Sequence, residues 1–120
     1  MKKALLFVSC LALLLGAGLA FADHHEGSWT GEVIDIACYV PKGAQGEGHS
    51  ACAKSCVKNG QPMGLLTDDG SVVLLAADHA DGAAFEGLKD LAGSKAEVSG
   101  HLADKGGIKV LTVTAFKAAG

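Results

Sequence analysis

The first 22 residues differ from the rest of the chain, and that boundary limits what the remainder can fold into. Met1, Lys2 and Lys3 lead into an almost unbroken apolar run over residues 4–19. Ala20-Phe21-Ala22 follows, and then an abruptly polar Asp23-His24-His25-Glu26. A cationic start, an apolar middle and a small-residue A-x-A site make the three-part pattern of a secretory signal peptide. The apolar run, roughly 16 residues, is shorter than the ~20 a spanning helix needs. The expectation is cleavage after Ala22, a periplasmic or secreted protein, and no membrane span after cleavage. Val8-Ser9-Cys10 loosely resembles a lipidation site. The long apolar stretch after Cys10 argues against a lipoprotein, so Cys10 is expected to leave with the leader.

About 98 residues remain, enough for one domain with a modest core. They divide into a flexible N-terminus over 23–28 and a single domain over 29–120. The whole chain carries a net charge of -3, and losing Lys2 and Lys3 makes the exported part more acidic. There is no Arg anywhere, which removes the usual bidentate grip on phosphate. Nucleic acid and anionic membranes are therefore poor partners for this surface.

Punctuation by turn residues divides the domain. Residues 29–38 read as a strand with Trp29, Val33, Ile34 and Ile36 as its bulk. Residues 40–48 read as a Gly-rich loop. Residues 49–59 read as a short helix, capped by Ser50 and stopped at Asn59-Gly60. Residues 63–67 and 71–76 read as a hairpin around Asp68-Asp69-Gly70, a sequence suited to positive φ. Residues 83–91 read as a second helix with Phe85, Leu88 and Leu91 on one stripe. Residues 95–102 and 108–116 read as the last strands, joined at Asp104-Lys105-Gly106-Gly107. Five strands with a helix between the third and fourth have the order of an OB-fold. The predicted fold is mainly β with two short helices, a small five-stranded OB-like Greek-key barrel with a Cys/His-bearing helix inserted between strands 1 and 2. A small open sandwich of the same strands is the rival.

Three cysteines survive removal of the leader: Cys38, Cys52 and Cys56. Outside the cytosol an odd number leaves one thiol over, unless it binds metal or pairs between chains. With His49 they give the spacing C-x10-H-x2-C-x3-C. At 100° per residue His49, Cys52 and Cys56 share about 60° of arc on one helix face, and the Gly-rich loop can fold Cys38 over it. Three thiolates and an imidazole are a tetrahedral zinc set, and soft thiolates also suit Cu(I) or iron. One transition-metal ion is thus expected, zinc first with copper or iron as alternatives, for structure, binding or delivery. The competing readings are a Cys38 disulfide to Cys52 or Cys56 in an envelope interaction domain, and a thiol-redox protein with His49 as base. Another envelope protein is a possible partner under the disulfide reading. No C-x-x-C-H run, C-x-x-C pair, Ser-His-Asp set or paired carboxylates are evident, which argues against c-type haem, a thioredoxin-like site and an enzyme.

Weaker features remain. His24 and His25 would place an imidazole at the third position of a chain beginning at Asp23, a geometry suited to Cu(II) or Ni(II). Asp35 reads either as a solvent-facing strand residue or as an acceptor for His49. Tyr39 and Met63 read as packing, and His79 and His101 as surface.

From Gly31 to Leu66 the motifs G-x-V-x-D-x-x-C and C-A-x-x-C, with the strand holding Val98-Ser99-Gly100, resemble a group of small, uncharacterised exported bacterial proteins. The resemblance implies a barrel-like domain with a shared Cys-His feature, and it carries no activity.

Overall fold

The computed structural model describes residues 24–120. The leader, its cleavage site and Cys10 lie outside the described residues. Strand β1 runs His24–Asp35 and is followed by helix α1, Ile36–Lys42. A single turn over Glu47–His49 leads into α2, Ser50–Lys58. Then come β2 (Met63–Thr67), β3 (Val72–Ala77), α3 (Ala83–Leu88) with a further turn over Lys89–Leu91, β4 (Lys95–Lys105) and β5 (Ile108–Ala118). The strands close into a barrel in the order β1-β2-β3-β5-β4, with β4 returning to pair with β1. β3 and β5 run parallel and every other pair is antiparallel. This is a mainly β, OB-like barrel, and closure leaves no free sheet edge.

Alternation along the strands builds the interior. Val33, Leu65, Val73, Leu75, Val98, Leu111 and Val113 point inward and are almost fully buried. Ala53 and Val57 of α2, together with Leu88 and Ala92, join the same core. α2 is also tied to the turn after α3. Lys58 Nζ meets Asp90 Oδ1 at 2.6 Å, and a Cβ on Gly93 would stand 2.5 Å from Ser50 Cα. Only glycine, with its φ of +82° there, lets the start of α2 come so close to the barrel.

Four elements differ from the sequence expectation. β1 begins at His24 instead of residue 29, so 24–28 are strand and not a loose terminus. Register with β4 runs from His24↔Ala103 onward, and the Ser28 and Ser99 hydroxyls bond at 2.6 Å. β4 and β5 likewise run past their expected ends, to Lys105 and Ala118. Most consequential, Ile36–Lys42 is a helix, not the end of a strand and the start of a loop. Asp35 caps it, its Oδ1 accepting the Cys38 N–H at 3.2 Å. Gly43, at φ +67°, ends it by donating to Tyr39 O at 2.7 Å. Pro41 sits in the last turn, where it withholds the N–H that would bond Ala37 O, so α1 stays short and depends on its caps.

Candidate metal centre

The centre lies where β1 gives way to α1 and the chain returns into α2. Asp35 ends β1 with no solvent exposure. Because α1 turns back within three residues, it sets the Cys38 thiol beside the carboxylate it follows. His49 arrives from the turn before α2, as the residue preceding that helix. One donor atom from each of Asp35, Cys38 and His49 lies within 4.8 Å of the other two.

Asp35 uses its oxygens differently. Oδ1 is engaged by the α1 backbone, and Oδ2 faces His49 Nε2 at 3.6 Å. Oδ2 and Nε2 are both buried, and neither has a hydrogen-bond partner in the protein. A hydrogen bond between them would measure about 2.7–3.2 Å. Two donors each ~2.0–2.1 Å from a tetrahedral ion stand about 3.4 Å apart. The observed spacing is therefore closer to that of two ligands flanking one ion than to that of a bonded pair. Buried polar atoms without partners are costly, and a cation between these two would satisfy both.

Burial pushes the Asp35 carboxyl up, but the Cys38 thiol and N–H, then His49 and the Cys56 thiol, outweigh it and hold the carboxyl below its ordinary value. The Cys38 thiol is pushed up by its contact with Asp35, then by burial and the carboxylate charge. Burial, then the Asp35 charge and the neighbouring Cys52, push Cys56 up to about 11. A carboxylate beside protonated thiols describes the ligands without a cation. A divalent ion inverts that order by displacing the thiol protons.

Four ligands were expected from the sequence: Cys38, His49, Cys52 and Cys56. Cys38 and His49 are in the compact group. Cys56 is half-buried and near enough to act on Asp35, while Cys52 is exposed with its thiol against that of Cys56. All three cysteines of the described residues are free thiols, so no disulfide joins them. Asp35 is the donor that sequence reasoning did not name as a ligand, and the solvent-facing reading of it is corrected by its full burial. A signal was present: an Asp three residues before Cys38, with Gly43 closing the turn, has helix-capping spacing. The Pro-Gly content masked it.

The remaining predicted positions lie elsewhere. His24 and His25 are exposed at the far end of β1, paired with Ala103 and Leu102. His101 meets Glu26 at 3.0 Å on the outer face. His79 is exposed and Met63 is core. Among the described residues no helix is long and apolar enough to cross a membrane. Comparison with protein-family models, with curated proteins and with solved structures returned no significant match, so the centre is argued from its geometry.

Proposed function

We propose that this is an exported metal-binding protein whose ion, zinc by preference, is held by Asp35, Cys38, His49 and Cys56 on the rim of an OB-like barrel. The observation that carries the reading is the pair of buried, unpartnered donors, Asp35 Oδ2 and His49 Nε2, facing each other beside the Cys38 thiol. One carboxylate oxygen, one imidazole nitrogen and two sulfurs form a mixed set. Cu(I) prefers sulfur throughout, whereas zinc accepts all three donor types. The carboxylate thus favours zinc over the Cu(I) that the cysteines alone leave open. Export is supported by the leader pattern of residues 1–22, and it places loading before the thiols can oxidise.

The test is metal analysis with thiol counting on the protein purified from the exporting cell. One zinc per chain is expected. Replacement by Co(II) should give thiolate-to-cobalt charge-transfer absorption, lost in Cys38→Ser. At free zinc about 100-fold above Kd, stability should rise by about 2.7 kcal/mol, and a chelator should reverse the rise. A metal-free protein containing one disulfide and one free thiol would overturn the proposal in favour of a disulfide-stapled interaction domain.

A further inference from the structure

Resting on that reading, we propose that Cys52 is the exchange ligand of the centre: an exposed sulfur through which the ion passes to and from an external thiolate-bearing partner. The centre has more donors than positions. Asp35, Cys38, His49 and Cys56 complete a tetrahedron, and Cys52 is a fifth donor. It lies one turn before Cys56 on α2, three residues after His49, which precedes the helix. The donors are graded by depth. Asp35 has no exposure, the His49 side chain has 19%, Cys38 and Cys56 are half-buried, and Cys52 is exposed. A soft ligand placed only for stability would be sheltered with the others. This one is exposed, with its thiol against that of Cys56, the sulfur it can replace.

The exchange balances without redox change. The metal–sulfur bond to Cys56 breaks as the bond to Cys52 forms, through the five-coordinate arrangement zinc tolerates. Cys52 loses its proton to water and Cys56 gains one. Two incoming thiolates then add to the ion from the solvent side, the bonds to Cys38, His49 and Asp35 break in turn and the bond to Cys52 last, and the two protons lost by the partner's thiols go to Cys38 and Cys52. The partner implied is one with a cysteine pair, whose two thiolates can take the place of the two sulfurs on the ion.

The experiment measures zinc loss from the loaded protein to a small dithiol chelator by stopped flow, for the natural protein, Cys52→Ser and Cys38→Ser, with folding followed by circular dichroism. Cys52→Ser should keep one zinc, with affinity within about threefold, and release it about tenfold more slowly. Cys38→Ser should hold no zinc. Release from Cys52→Ser at the natural rate would overturn the proposal. So would a loss of zinc as complete as in Cys38→Ser, which would make Cys52 a permanent ligand. A natural protein that binds no zinc removes the metal reading itself, and that outcome is read without any variant.

Discussion

Asp35 has two roles, one for each oxygen. Oδ1 caps α1 and so determines where Cys38 stands, while Oδ2 is left buried and facing an imidazole. The two roles separate in Asp35→Asn, since Asn also caps helices. The variant should keep α1 but lose the charge. Zinc affinity is expected to fall by at least the roughly 10–100-fold seen when an orienting partner is removed. Without zinc the variant should lose less stability than with it, because the cap is kept and only the carboxylate's contacts with the Cys38 and Cys56 thiols go. Chemical denaturation with and without zinc measures both quantities. Equal stability loss in the two conditions would show that Asp35 is only a structural residue. At the other end of the barrel wall, Asp69 gives a pH signature. Its Oδ1 bonds the Thr67 hydroxyl and the Ser71 N–H in the β2–β3 turn. These contacts, the hydroxyl first, hold the carboxyl below its ordinary value of 3.8. The folded chain therefore takes up this proton less readily than the unfolded chain. Its stabilisation is present above the unfolded pKa and fades as pH falls through the lower folded value. Asp69→Asn should be destabilising at neutral pH, and the gap between variant and natural protein should close in acid melts below that range.

At the scale of elements, α1 and α2 are short and hold the centre only because each end is fixed. Two glycines separate local strain from positioning. Gly43, at φ +67°, has no atom within 4 Å of where a Cβ would sit, so Gly43→Ala adds only backbone strain, about 1–2 kcal/mol. Gly93, at φ +82°, adds a collision with Ser50, the residue after His49. Gly93→Ala should therefore push the start of α2 away from β1 and weaken zinc binding by more than its loss of stability accounts for. Gly43→Ala should lower stability with a smaller change in affinity. Zinc competition assays alongside thermal melts distinguish the two, and equal affinity losses would argue against coupling between Gly93 and His49. The sequence placed Cys52 and Cys56 on one helix because helix periodicity is local. It missed α1 because capping at Asp35 and closure at Gly43 compete with a proline and several glycines over the same stretch. Which tendency prevails depends on the barrel that Asp35 is anchored to.

At the scale of the whole molecule, one core serves both the barrel and the helices that carry the ligands. Ala53 and Val57 lie on the inner face of the helix that bears Cys52 and Cys56, and they pack with Val33, Leu88 and Val98. Leu88, fully buried where α3 meets the barrel, should cost about 2–5 kcal/mol when changed to Ala. That loss should appear in the unfolding midpoint of the zinc-free protein, with one transition shared by helix and strand signals. Two separate transitions would mean that the ligand helices unfold independently of the barrel. Five strands in the OB-like order, two tight turns and a helix bearing Cys52 and Cys56 were all readable from the chain, because alternation, glycine placement and helical spacing are properties of neighbouring residues. The closure of β1 onto β4, the burial of Asp35 and the depth order of the sulfurs depend on contacts between residues far apart in sequence. Only the folded barrel decides those, because a carboxylate's exposure depends on what packs over it and not on the residues beside it.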